Sequence, residues 1–168
     1  MNGSIVYTTI ESPAGRLMLA AADDGLRILS FMEGRKFIAP HPSWREVANG
    51  DNATLRETIK QLRAYFAREL RDFTLPLAPQ GTPFQLEVWK ELCAIPYGVT
   101  ISYGELARRV GSPNGSRAVG LANGSNPIAI VIPCHRVIGA NGKLTGYGGG
   151  LPLKEKLLEL EALRLTLG

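Results

Sequence analysis

The sequence predicts a protein of mixed α/β (α+β) class in two lobes. Three observations carry that expectation: short apolar runs separated by turn residues before residue 40, a proline-rich break at 75–83, and helical spacing with cap motifs after it. The first lobe, residues 1–78, is expected to be a small antiparallel sheet with one supporting helix. The second, residues 79–168, is expected to be mainly helical, with a helix-turn-helix of winged-helix-like type.

Taken in order, "SIVYTTIES", "RLMLAAA" and "LRILSF" read as strands separated by turns at 12–15 and 23–25. "APHPSW" and "ANGDN" then read as loop. From Ala53 to Leu70 the apolar residues Leu55, Ile59, Leu62, Tyr65, Phe66 and Leu70 recur at helical spacing and predict a helix. The prolines of "LPLAPQGTP" cannot continue it, which places the lobe boundary there. Thr82 and Pro83 form a cap and first position for a helix ending near Leu92. Ser102-Tyr-Gly-Glu105 fits the capping box S-x-x-E and opens a helix to about Val110. After the break at 111–114, residues 116–123 read as a second short helix. Two short helices across a tight turn have the form of a helix-turn-helix, a form also found in helical hairpins that never touch DNA. "IAIVI" at 128–132 reads as a buried extended segment ended by Pro133. A last helix opens at Pro152 and runs to about Leu165.

Composition narrows the class. With 168 residues, 45% hydrophobic and 20% charged, the chain reads as an ordinary soluble globular protein. No apolar run approaches the roughly 20 residues that span a bilayer. The start "MNGSIVYTTI" lacks the basic region and apolar stretch of a secretory signal. Two cysteines, Cys93 and Cys134, fit a reducing cytoplasm. The net charge of +4 is concentrated in residues 101–150, where Arg108, Arg109, Arg117, Arg136 and Lys143 face only Glu105. That segment also holds 11 of the 19 glycines. A basic, glycine-rich surface lets a phosphate chain approach closely, although solvated charges beside loops give the same composition.

The chemistry centres on "IPCHRV". An unassisted thiol is only a few per cent thiolate at neutral pH, so a nucleophilic Cys134 needs a base or cation nearby. His135 is adjacent, but neighbours in an extended chain point to opposite sides, so a bridging water or a bend is required. Packing is the competing reading, since cysteine is among the most buried residues. A carboxylate that orients the imidazole favours catalysis. Glu161, with Leu157, Leu158 and Leu165 on its helix face, is better placed for this than the solvated Glu159. A surface salt bridge is the alternative for Glu161. Asn126 precedes a proline, where asparagine commonly makes a turn. Arg117 opens a helix, an unfavourable place for a cation unless it engages something anionic or aromatic.

With "SYGELA" and "RAVGLANGSNP" upstream and "GYGGG…KEKLLELE" downstream, "PCHRVIG" resembles the O6-alkylguanine-DNA alkyltransferases, also called methylated-DNA–protein-cysteine methyltransferases. The resemblance runs from about Gly81 to Leu165, and the first lobe resembles the family's more variable domain. It implies that Cys134 takes the alkyl group from O6-alkylguanine, and from O4-alkylthymine, in a single self-inactivating turnover without cofactor or metal. It also implies a base role for His135 through a water, an orienting role for Glu161, and bracing of the active-site turn by Asn126. Tyr103 resembles the tyrosine that helps flip the nucleotide and donates to the ring, and Arg117 the arginine that fills the gap left behind. Gly115, Ser116, Gly120 and Asn123 would complete the DNA surface, while Val137, Leu144, Tyr147 and Gly148 would line the base pocket. The implied partner is double-stranded DNA read through its minor groove by a monomer, in the cytoplasm and away from membranes. Some relatives carry zinc in the first lobe; here that lobe has one histidine, His41, and no cysteine, so no metal is expected. Cys93 is expected in the core. The rival readings are a non-catalytic lesion-binding protein, a cysteine hydrolase using the same triad, and a DNA-binding regulator. Retention of Cys134, His135 and Glu161 argues against the first. No oxyanion hole supports the second, and no effector domain is left for the third.

Overall fold

The computed structural model describes residues 4–167, with side chains through Ala162. The first lobe is a four-stranded sheet in the order β3-β2-β1-β4, built from β1 (Val6–Ile10), β2 (Leu17–Ala22), β3 (Gly25–Phe31) and β4 (Arg45–Glu46). The three long strands pair antiparallel, as their short turns require, with a bulge between Ala20 and Ala21. The two-residue β4 pairs parallel to β1 and lies in the stretch read from sequence as loop. It is too short and too polar to carry an alternating pattern. Strand β2 is buried at every position because both faces of the sheet are covered. Leu17, Leu19 and Ala21 enter the main core, while Met18 and Ala20 join a smaller cluster with Ile28, flanked by Tyr7, Ile38 and Trp44.

Helix α1 (Ala53–Phe66) starts where Asn52 accepts a hydrogen bond from the Leu55 amide at 3.0 Å. It stops before Leu70, which the apolar spacing had placed inside it. Arg68 adopts φ 63°, a left-handed conformation that ends the helix, and Leu70 packs against the core from outside.

The second lobe contains α2 (Pro83–Leu92), α3 (Tyr103–Arg109), α4 (Ser116–Gly124) and α5 (Leu151–Leu167). Thr82 and Gln85 form a reciprocal capping box at α2. Ser102 caps α3 by accepting from the Glu105 amide at 3.0 Å, but the Glu105 side chain turns outward to Arg108 and Arg109. Helices α3 and α4 pack as the expected pair, flanked by a parallel ladder of β5 (Ile101–Ser102) and β6 (Val137–Ile138). Cys93 ends α2 and is exposed, not core as its helical position suggested.

One core spans both lobes, running from Leu29 and Leu62 to Trp89, Leu106, Val119, Ile128 and Leu157. The outer edge of β3 joins them. Leu26 exchanges backbone hydrogen bonds with Pro76 and Ala78, and Leu29 does the same with Pro127 and Ala129. The proline-rich segment is therefore docked as it leaves the first lobe. Gly25 permits this approach, because a Cβ there would lie 2.6 Å from the Pro76 carbonyl oxygen.

A shared core predicts one cooperative unfolding transition. In a Trp44→Phe variant, Trp89 fluorescence and far-UV circular dichroism should give the same urea midpoint; separated midpoints would show lobes that fold independently. Leu29→Ala should cost about 2–5 kcal/mol in the same titration.

Candidate active site

The segment before Cys134 is buried but not extended. Ile128 bridges to Leu29, and the chain then turns tightly, with Ile130 at φ 70°. For a β-branched residue this conformation is strained by about 1–3 kcal/mol and persists only when its surroundings dictate it. Asn126 supplies part of that constraint. Its amide donates to the Ile132 carbonyl at 2.8 Å, and its carbonyl oxygen accepts from the Ile128 amide at 3.0 Å. Beyond Pro133, residues Cys134–Arg136 form a 3₁₀ turn, with the Arg136 amide bonded to the Pro133 carbonyl. Three residues per turn separates consecutive side chains by about 120°, so Cys134 and His135 are not driven to opposite sides as in a strand.

His135 is fully buried, and its Nε2 lies 2.8 Å from Glu161 Oε2 on α5. Glu161 is equally enclosed. Arg136 Nε donates to Oε1 at 2.9 Å and Nη2 to Oε2 at 3.2 Å, the Gly98 amide approaches Oε1 at 3.4 Å, and the Tyr65 hydroxyl donates to Oε2 at 2.7 Å. Burial disfavours the charge of Glu161, but the hydrogen bonds from His135 and Arg136 and the Arg136 cation outweigh it and hold the carboxyl down to about 2. Burial lowers the pKa of His135 more than Glu161 raises it, leaving the imidazole neutral. The permanent cation on Glu161 is therefore Arg136. An ionised carboxylate only accepts, so the hydrogen on His135 sits on Nε2 and the lone pair on Nδ1. Nδ1 is buried and has no hydrogen-bond partner among the described residues. It is the basic atom of the site.

Cys134 lines a cavity of about 50 Å³ between the first lobe and the end of α4. Burial pushes its thiol up, opposed by the Asn126 amide and the Lys154 charge, so the resting sulfur is protonated. Tyr147 and Gly148 line this cavity. Val137 and Leu144 are not in its lining: Val137 is fully buried as the first residue of β6, with its carbonyl accepting from Lys154, and Leu144 lies in the loop beyond. Their places are taken by Leu29, Phe31 and Lys36 of the first lobe, which no local pattern linked to Cys134. A wider vestibule of about 290 Å³ shares Lys36, Gly124, Tyr147 and Gly148 with the inner cavity. Tyr103 and Gly120 stand on its wall, and the Tyr103 hydroxyl accepts from Thr145 Oγ1 at 3.2 Å.

Asn123, expected at the DNA surface, is buried. Its amide lies 3.4 Å from the Cys134 carbonyl, because it falls on the inner face of α4. Gly115 caps that helix, while Ser116 and Arg117 are exposed at its start. Leu121, one turn beyond Arg117, is 72% exposed. Arg136, counted from composition as surface charge, is internal and neutralised by Glu161. Lys154 is likewise fully buried and donates to the carbonyls of Val137 at 2.7 Å and Thr145 at 2.8 Å. It shares a helix face with Leu157, Leu158 and Glu161, so the spacing that singled out Glu161 also pointed to Lys154.

The depressed carboxyl of Glu161 contributes stability that is complete above the ordinary glutamate pKa of about 4.3 and is lost as pH falls through the folded value. Glu161→Gln should destabilise the protein at pH 7 by about 3–5 kcal/mol in urea titration, since Arg136 loses its counter-ion. The deficit should shrink near pH 3; a constant deficit would remove its ionic origin.

The model of the DNA-binding domain of 6-O-methylguanine DNA methyltransferase matches residues 83–163, and that of the same enzyme's ribonuclease-like domain matches residues 5–79. The methylated-DNA–protein-cysteine methyltransferase of Methanosarcina acetivorans is 55% identical over 155 residues, 92% of this chain and 97% of that one. That of Mycobacterium tuberculosis is 51% identical over 160 residues, covering 95% and 94%. The crystal structure of the M. tuberculosis OGT in complex with DNA superimposes with a TM-score of 0.86 at 51% identity, over 95% of this chain and 94% of the other. With both lobes matched and identity above half along nearly the whole length, the chain belongs to the 6-O-methylguanine DNA methyltransferase family.

Proposed function

We propose that this protein repairs alkylated DNA by direct reversal, moving the alkyl group of O6-alkylguanine onto its own Cys134. The observation that carries this reading is a thiol lining a cavity, followed in the same 3₁₀ turn by an imidazole whose basic nitrogen has no partner among the described residues and whose other nitrogen is held 2.8 Å from a buried carboxylate. The Cys134 proton passes to His135 Nδ1 through a water. The sulfur attacks the alkyl carbon, the carbon–O6 bond breaks, and its electron pair leaves on guanine. Tyr103, at the vestibule wall, donates toward the ring so that the base departs neutral. A thioether has no leaving group for water to displace, so each molecule acts once. O4-alkylthymine offers the same alkyl–oxygen bond and is the second substrate.

The alkylated oxygen lies inside the duplex stack, so the nucleotide must be flipped out. Helix α4 serves both ends of that step. Its exposed face carries Arg117 and Leu121 toward the minor groove, while its last turn, at Gly124, lines the vestibule. Arg117 occupies the space of the flipped base, and Leu121 supplies an apolar contact of the kind minor-groove proteins make. Ser116, Gly115 and Gly120 let the sugar–phosphate backbone come close, with no demand on sequence. Asn126 braces the turn that aims Cys134. Among the described residues no helix is long and apolar enough to cross a membrane. The free thiols Cys93 and Cys134 support a cytoplasmic setting, and one monomer per lesion suffices.

Intact-mass analysis after incubation with a duplex containing O6-methylguanine should find one added methyl, mapped to Cys134, and no second turnover. An unmodified protein or repeated turnover would sink this reading. Cys134→Ser should abolish transfer while retaining DNA binding. Arg117→Ala should slow repair of duplex by about 10- to 100-fold, as expected if flipping costs a few kcal/mol, with little change toward a free-base O6-alkylguanine. Equal loss on both substrates would rule out a flipping role.

A further inference from the structure

We propose that Tyr65, from the first lobe, is a positioning residue of the transfer site: its hydroxyl sets how strongly Glu161 holds His135. This deepens the alkyl-transfer reading and rests on it. Tyr65 lies on α1, far from Cys134 in sequence, yet it is fully buried and its hydroxyl donates to Glu161 Oε2 at 2.7 Å. The same oxygen accepts from His135 Nε2 at 2.8 Å. Arg136 Nη2 also reaches it, at 3.2 Å, so three donors share one carboxylate oxygen, and the phenol, the shortest of the three, draws off part of the charge that would otherwise act on the imidazole. The ring is fixed by Phe66, Phe73 and Tyr97, with centroids at 5.3, 5.4 and 6.3 Å. Burial and the Glu161 charge both raise the pKa of Tyr65, so it remains a neutral donor at every relevant pH.

The surroundings make this hydrogen bond matter. Arg136 on the 3₁₀ turn spans both oxygens of the carboxylate, and the Gly98 amide approaches Oε1. Lys154 on α5 and Arg136 both act against protonation of His135, and Glu161 alone favours it. Among the described residues, the other ionisable groups near the cluster are the buried phenols Tyr97 and Tyr147, the Cys134 thiol next to His135 on the 3₁₀ turn, Cys93 near Arg136, and Arg71 over the Tyr97 ring. The balance at His135 therefore turns on the charge left on Oε2, and Tyr65 is the first lobe's direct contact with that oxygen. Removing the hydroxyl concentrates charge on Oε2, favours the imidazolium, and raises the pH at which His135 ceases to be a base.

The test uses the full chain and the free base O6-benzylguanine, which reports on chemistry without DNA. The rate of Cys134 benzylation is followed by intact mass between pH 5 and 9. Tyr65→Phe should move the acid limb upward by about half a pH unit, a loss of about threefold below the limb, with a nearly unchanged plateau at high pH. In a Glu161→Gln background the same change should have no further effect on the limb. A profile coincident with wild type, a uniform loss without a shift, or a shift that persists in the Glu161→Gln background would each overturn the proposal. In wild-type protein the Tyr65 hydroxyl proton should be a slowly exchanging downfield NMR resonance close to the His135 Nε2 proton, and its absence would also overturn it. Failure of wild-type Cys134 to gain the benzyl group would instead overturn the transfer reading beneath it.

Discussion

A single buried carboxylate organises this protein. Glu161 is 1% exposed, and a charge so enclosed is tolerated only when its oxygens are fully occupied by donors. Those donors come from three places in the chain: α1, the loop at Gly98, and the 3₁₀ turn that holds His135 and Arg136. Satisfying Glu161 therefore fixes where α1, α5 and the cysteine segment lie relative to one another. It also fixes the tautomer of His135, leaving the basic nitrogen without a partner among the described residues. Structural demand and chemical readiness have the same origin here.

The relation between the lobes follows from this. The first lobe is not a separate module attached by a linker. The edge of β3 takes the segments at 76–78 and 127–129 as extra backbone partners, and the second of these leads directly into the active-site turn. Leu29 and Phe31 wall the cavity at Cys134, and Lys36 donates to the Gly124 carbonyl at 2.9 Å, tying the first lobe to the end of α4. An open sheet edge is normally a liability, and here it becomes the surface on which the reactive segment is held.

Much of the local structure was legible because it rests on nearest-neighbour chemistry. Thr82 and Ser102 open their helices by side-chain hydrogen bonds that a motif reports directly. Glu161 stood out because an acid on a leucine face needs a partner, and Lys154 sat on that face with the same signal. The misreadings arose where side chains far apart in sequence decide. The apolar run at 128–132 fits a strand or a tight buried turn equally well, and only the partners of Asn126 select the turn. Arg136 counts as surface charge in a composition, and Asn123 as a surface amide on a basic helix. Their burial depends on which face of each element meets the core.

The sequence by itself singled out the candidate set, Cys134 and His135 with Glu161 on the last helix, and the pair of short helices in the basic segment. Those choices rest on residue type and short-range spacing, which a linear chain displays. Only the tertiary structure decided that Tyr65 and Arg136 share the Glu161 carboxylate, that the first lobe walls the cavity, and that Val137 and Leu144 stay out of it. These are contacts across many tens of residues, set by filling one core and satisfying one buried charge, and no local periodicity encodes them.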